Sequence, residues 1–216
     1  MRVKICGITD PGQGRAIAAL GASALGFICV RKSPRYVAPE RIRSIGRELP
    51  ASIGRIGVFA NATPVEIVAT VRVSNLTGVQ LHGDETPADC QQLQALLPGV
   101  ELLKAFRVRD RQTLDTIPPY QDCVDTVLLD AFDPTQLGGT GHTLDWKALV
   151  DFRPPLPWLL AGGLNPENVG MAIENLSPNR PNGIDLSSGI ERSPGDKDLE
   201  RAAVLFATLA KLETTR

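Results

Sequence analysis

The chain alternates eight times between a short apolar run and a longer stretch that opens with helix-start signals. The apolar runs are Val3–Cys6, Ala24–Val30, Arg55–Phe59, Gly78–Leu81, Leu102–Phe106, Thr126–Leu129, Trp158–Ala161 and Ile184–Leu186. Several are continuously apolar, as in Val127, Leu128, Leu129 and in Trp158, Leu159, Leu160. Strands covered on both faces read this way, and helices cover both faces of parallel sheets. The helical stretches between the runs are Gln13–Leu20, Pro39–Leu49, Pro64–Val73, Pro87–Leu97, Arg111–Ile117, Leu144–Phe152, Pro166–Asn175 and Leu199–Leu212. Thr63, Thr86 and Asn165 each precede a proline, which joins a capping side chain to a residue preset for the first helical turn. This order predicts an α/β fold, a single-domain (β/α)8 TIM barrel over residues 1–216. An open doubly wound sheet is the alternative, but it normally has fewer strands and a glycine fingerprint for a nucleotide.

Composition narrows the class of function. Of the 216 residues, 43% are hydrophobic and 22% charged, the balance of a globular protein rather than a disordered one. The formal net charge is −1 with no basic stripe, so no nucleic-acid partner is expected. No apolar run approaches the roughly 18 residues of a membrane span, and the first run is a strand rather than a leader. Cys6, Cys29, Cys90 and Cys123 are scattered, fitting neither metal-ligand spacing nor a disulfide framework. A reducing, cytoplasmic location is the expectation.

Ligands of parallel α/β barrels bind at the C-terminal mouth of the strands. Cys6 ends the first run there, followed by Gly7. It is either a thiol placed to exchange a proton or a small buried hydrophobe. Asp130 follows the sixth run. A carboxyl at a dry mouth is costly unless paired or protonated, which makes it a proton-donor candidate. The other reading is a carboxylate bonded by loop amides. Arg35 follows the second run and suits bidentate pairing with a carboxylate, although a lone arginine is more often a solvated surface charge. Asp185, within the eighth run, could hold ligand hydroxyls or tie down a loop. His82 ends the fourth run and is either a ligand contact or a satisfied structural histidine.

Two glycine-bearing loops follow the last two strands. They read Ala161, Gly162, Gly163, Leu164, Asn165, Pro166 and Ser187, Ser188, Gly189, Ile190, Glu191. Barrels bind phosphate with these two loops, assisted by a helix N-terminus, so Gly162, Gly163, Ser188 and Gly189 are phosphate-site candidates. Otherwise the paired glycines only make turns. A third glycine run, Leu137 to His142, is either a flap over ligand or a flexible connection. No lysine follows it as a nucleotide P-loop would require.

Together these segments resemble the phosphoribosylanthranilate isomerase family, which acts at the third step of tryptophan synthesis from chorismate. The resemblance runs through KICGIT (4–9), GFICVRKSPRYV (26–37), GVF (57–59), GVQLHGDE (78–85), LLDAF (128–132), GGTGHTLDW (138–146), LAGGLNPENV (160–169), GIDLSSGIE (183–191) and PGDKD (194–198). It implies a barrel that performs an Amadori rearrangement on a small phosphosugar with neither metal nor organic cofactor. By motif, it makes Cys6 the general base and Asp130 the general acid. It puts Arg35 on the anthranilate portion and Asp185 near the sugar. A monomer and a homodimer both fit. One rival is a metal-dependent epimerase, which wants more histidines than His82 and His142. A second is the indole-forming synthase of the same pathway, which wants strand-end lysines such as Lys4 and Lys104. A non-catalytic phosphate binder would keep the glycine loops without needing Cys6 and Asp130 together.

Overall fold

The structure, a computed structural model, describes residues 1–131 and 146–214. Eight strands form the barrel: β1 (Arg2–Cys6), β2 (Ala24–Ile28), β3 (Gly54–Phe59), β4 (Gly78–Leu81), β5 (Glu101–Val108), β6 (Thr126–Ala131), β7 (Trp158–Leu160) and β8 (Gly183–Leu186). Each pairs in parallel with the next, and β8 pairs back onto β1, so the sheet closes as expected from the alternation. Lys4 lies opposite Ala24 on one side and Asp185 on the other. The helices are α1 (Pro11–Leu20), α2 (Pro39–Arg47), α3 (Pro64–Ser74), α4 (Pro87–Leu96), α5 (Arg111–Leu114), α6 (Val169–Asn175) and α7 (Leu199–Thr214). After β8 comes a hairpin of β9 (Glu191–Ser193) and β10 (Asp196–Lys197) that the apolar pattern does not announce. No described helix is long and apolar enough to cross a membrane.

Local chemistry explains where most helices begin. The Thr63 hydroxyl accepts from the Glu66 amide while Glu66 reaches back to the Thr63 amide, a reciprocal cap repeated by Thr86 and Asp89. The Asp10 carboxylate accepts from the Gln13 amide at 2.8 Å, so α1 starts at Pro11 rather than Gln13. Three expected helices come out shorter. The Asn165 side chain accepts from the amides of Glu167 and Asn168 and its carbonyl from Val169, as an N-cap does, but residues 166–168 form a turn and α6 itself starts at Val169. Helix α5 stops at Leu114, because Pro118 and Pro119 turn the chain into a 3-10 turn at Pro118–Tyr120. In place of Leu144–Phe152 there is a 3-10 turn at Trp146–Leu149, with residues 144 and 145 outside the described chain. The prolines at 154, 155 and 157 leave this stretch no room to extend as a helix.

Two apolar layers hold the barrel. The outer one lies between strands and helices and includes Ile5, Phe27, Leu81, Leu129 and Leu160. The inner one fills the barrel with Ala24, Ile56, Leu103, Ala105, Leu128, Leu159 and Ala161. Side chains along a strand alternate faces, so the strand residues two steps towards the mouth from this plug also look inward. That parity brings Asp130, two residues after Leu128, to the barrel mouth. The plug is the floor on which the mouth is built. Leu128 is fully buried in it. Leu128→Ala should lower unfolding stability by about 2–5 kcal/mol. The measurement is a urea transition, where the midpoint should fall with an unchanged slope. A loss under about 0.5 kcal/mol would mean the plug has another anchor.

Candidate active site

A cavity of about 550 Å³ opens at the C-terminal ends of the strands. Its lining includes eight of the nine residues singled out from sequence, namely Cys6, Arg35, His82, Asp130, Gly162, Gly163, Asp185 and Ser188. Gly189 is the exception. A side chain there would lie 1.9 Å from the Leu164 carbonyl oxygen, so Gly189 lets the β8 loop press against the β7 loop. Its glycine is needed for contact between the loops rather than for lining the cavity.

Cys6 and Asp130 come from β1 and β6, three steps apart around the eight-stranded ring, so they face each other across the opening. Cys6 is buried, 6% exposed. Burial pushes its thiol above the usual range, and the Lys4 ammonium beside it opposes that only in part. The resting site therefore holds a thiol. A Cβ built on Gly26 would meet Cys6 Sγ at 2.7 Å and Lys4 Nζ at 3.1 Å, which locates sulfur and ammonium in one small space. Lys4 is completely buried, and its Nζ donates to Asp185 Oδ1 at 2.9 Å. Burial raises the Asp185 carboxyl against the pull of Lys4. For Lys4, burial works downward, but Asp185 and Cys6 outweigh it and hold the ammonium above its ordinary value.

Asp130 Oδ1 accepts the amide of the next residue, Ala131, at 2.9 Å. Its Oδ2 lies 3.3 Å from His82 Nε2. Gln80, on the same face of β4 as His82, puts its Nε2 2.9 Å from His82 Nδ1. With the Gln80 amide donating, the ring proton of a neutral His82 sits on Nε2, towards Asp130. His82 thus lines the cavity with Nδ1 on Gln80 and Nε2 facing the Asp130 carboxyl.

Arg35 is not the solvated arginine of the bland reading. Its side chain is 12% exposed and pairs with Glu191, Nη2 to Oε2 at 2.7 Å. At the phosphate candidates, Gly162 and Gly163 have φ of 82° and 63°. Among the described residues the amides of Gly162, Gly163, Ser188 and Gly189 donate no hydrogen bond. Such an array of amides is a nest for an anion. Helix α6 begins three residues beyond Pro166, at Val169, while a 3-10 turn at Ser188–Ile190 opens at the phosphate candidates themselves.

Sequence reasoning missed Gln80, Glu191 and Lys197, and weighed Lys4 only for a rival chemistry. Parity was a usable signal for Gln80 and Lys4, which share faces with His82 and Cys6. Glu191 and Lys197 lie on the short hairpin, where no periodicity flags them. Lys104, the other lysine of that rival, sits under the β4 loop and donates to the Gly83 carbonyl at 2.8 Å, outside the main cavity. Among the described residues no three His, Cys, Asp or Glu side chains are grouped to hold a metal ion. The glycine run 137–142, with His142, lies outside the described residues.

The family model for N-(5'phosphoribosyl)anthranilate (PRA) isomerase matches residues 3–208. The chain belongs to this family. It is 58% identical over 209 residues to the N-(5'-phosphoribosyl)anthranilate isomerase of Gloeothece citriformis, covering 97% of this chain and 94% of that protein. The crystal structure of phosphoribosyl anthranilate isomerase from Thermotoga maritima superposes with a TM-score of 0.88 at 34% identity, covering 98% of this chain and 99% of that one. A further phosphoribosyl anthranilate isomerase structure, at TM-score 0.85 and 33% identity, is a complex with reduced 1-(o-carboxyphenylamino)-1-deoxyribulose 5-phosphate, and the match covers 98% of this chain and 99% of that one. The chain is therefore an isomerase of tryptophan biosynthesis built on a TIM barrel.

The raised Cys6 thiol has a measurable consequence. In the ligand-free enzyme, alkylation of Cys6 by iodoacetamide, followed by peptide mass spectrometry, should rise about tenfold per pH unit from 7 to 9. A Cys6 rate that is already level at pH 8 would show a thiolate populated near neutrality and contradict the burial argument.

Proposed function

We propose that Cys6 and Asp130 are the base and acid of an Amadori rearrangement. It converts N-(5'-phosphoribosyl)anthranilate to 1-(2-carboxyphenylamino)-1-deoxyribulose 5-phosphate. The observation that carries this reading is one thiol and one carboxyl facing each other across a single cavity lined also by Gly162, Gly163 and Ser188, whose amides donate no hydrogen bond among the described residues. Asp130 gives a proton to the ring oxygen of the ribose, the C1'–O bond breaks, and the nitrogen lone pair forms an iminium. The iminium makes the C2' proton acidic. Cys6, as thiolate, removes it, and the resulting enolamine tautomerises to the ketone. The reaction is an isomerisation, so every proton taken is returned.

The working form carries a proton on Asp130 and none on Cys6. Lys4 supports that form from beneath the sulfur, and the developing iminium supports it from above. Asp185 fixes Lys4 and borders the sugar. His82, with its Nε2 towards Asp130, is placed to return a proton to the carboxyl between turnovers. The amides of Gly162, Gly163, Ser188 and Gly189 donate to the phosphate at one end of the substrate, and Arg35 pairs with the anthranilate carboxylate at the other. Two anchored ends hold the sugar between acid and base without any further group. The four free cysteines support a cytoplasmic setting for this chemistry.

The deciding experiment follows the fluorescence of phosphoribosylanthranilate with purified enzyme and two variants. Cys6→Ala should lower kcat by about 10²-fold or more with an unchanged melting temperature. Near-normal turnover would remove Cys6 from the chemistry. Asp130→Asn should bind the product with nearly the original affinity, read by calorimetry, and turn over at less than about 1% of the original rate. If Asp130→Asn instead unfolds the protein, the carboxyl serves the fold through the Ala131 amide rather than the reaction.

A further inference from the structure

Behind the cavity wall lies a buried charge group that the acid–base chemistry does not use. Arg35, on the loop after β2, donates from Nε to Glu191 Oε1 and Oε2 at 3.1 and 3.0 Å and from Nη2 to Oε2 at 2.7 Å. Lys197, on β10, donates to the same carboxylate at 2.6 Å. Solvent screens neither Glu191 nor Lys197, whose side chains are 3% and 0% exposed. Lys197 also reaches the Ser187 carbonyl at 3.2 Å, and the Ser187 hydroxyl donates to the Cys6 carbonyl at 3.1 Å. Gly7 makes the arrangement possible. A side chain there would meet Arg35 Cδ at 2.9 Å and Glu191 Oε1 at 3.4 Å.

One carboxylate is thus shared by two cations in a dry place. The group carries a net charge of +1, and an unbalanced buried charge is expensive unless something brings a counter-charge. Glu191 occupies Nε and Nη2 of Arg35, and among the described residues Nη1 has no hydrogen bond. Arg35 lines the cavity. A carboxylate entering from the cavity would supply both the missing partner and the missing negative charge.

We propose that Glu191 is the positioning residue for Arg35 and that Lys197 sets the charge of the pair. Glu191 holds the guanidinium by one edge so that the other is presented to the anthranilate carboxylate. Lys197 draws on the same Glu191 charge, so Arg35 is left under-neutralised until substrate binds. This rests on the reading of Arg35 as the carboxylate contact. It makes specificity for an ortho-carboxyl arylamine a property of the hairpin after β8, not of the β2 loop alone.

The test compares steady-state kinetics on phosphoribosylanthranilate with kinetics on N-(5'-phosphoribosyl)aniline, which lacks the ring carboxylate. Glu191→Gln should raise KM for the first substrate by about tenfold while kcat changes less than about threefold, the signature of a contact made in both ground and transition states. Its kcat/KM on the aniline substrate should stay within about twofold. Glu191→Asp should recover part of the loss. If Glu191→Gln does not fold, Lys197→Met carries the same test. It leaves Arg35 fully neutralised, so KM for the carboxylate substrate should still rise and that for aniline should not. A folded Glu191→Gln or Lys197→Met enzyme with an unchanged KM, or one equally impaired on both substrates, overturns the proposal. Arg35→Ala, run alongside, separates the two ideas. If it raises KM and Glu191→Gln does not, only the positioning role fails. If Arg35→Ala leaves KM unchanged, the carboxylate assignment itself fails, and the positioning role with it.

Discussion

A closed ring of strands has an inside that cannot be reached from solvent except at its ends. Every residue that points inward must therefore pack against the other inward residues or be paired there. Here the middle of the ring is apolar, with Ile56, Leu103, Leu128 and Leu159 among its members. Nearer the mouth the same faces become polar, as where Asp130 follows Leu128 by two residues, and Cys6, Gln80, Asp130 and Asp185 line the opening. A strand cannot slip by one residue without turning these groups out of the barrel and apolar ones in. The register that gives the fold a dry floor is thus the register that brings a thiol and a carboxyl face to face.

The charges at the mouth are arranged in two layers of different character. Lys4 and Asp185 are deep and paired, a combination that adds little net stability but holds an ammonium next to the Cys6 sulfur. Arg35, Glu191 and Lys197 form the second layer, nearer the rim, tied to the first through Ser187 and the Cys6 carbonyl. Both layers surround ligand-binding space with more positive than negative charge, as suits a substrate with a phosphate and a carboxylate. Burial raises the resting Cys6 thiol, and in the proposed reaction the thiolate is favoured by the cationic intermediate beside it.

Glycine has two distinct uses in this mouth. At Gly162 and Gly163 it allows positive φ, and at Gly162 it also lets the Ala131 backbone come close. At Gly7 and Gly189 it allows close approach, of Arg35 to Glu191 in the first case and of one loop to another in the second. From sequence alone all four look alike, which is why Gly189 read as a lining residue and turned out to be a spacer between loops.

The order of strands and helices, the closed barrel and most of the site were legible in the chain because they depend on short-range rules. Short apolar runs give strands, Thr–Pro pairs give helix starts, and residues at strand ends face the mouth. Eight of nine chosen residues line the cavity for that reason. The failures share a cause as well. Asn165 caps a turn over 166–168 that leads into α6 at Val169, and the stretch after β6 gives a 3-10 turn at Trp146–Leu149 ahead of its prolines. Pairing across the molecule lies beyond sequence pattern altogether. Arg35 and Glu191 stand 156 residues apart, and Lys4 and Asp185 181 apart. The sequence by itself determined which side chains would reach the mouth, because strand parity is local. Only the tertiary structure decided which charges would be buried together and how far each would be neutralised, because that depends on distances set by closing the ring.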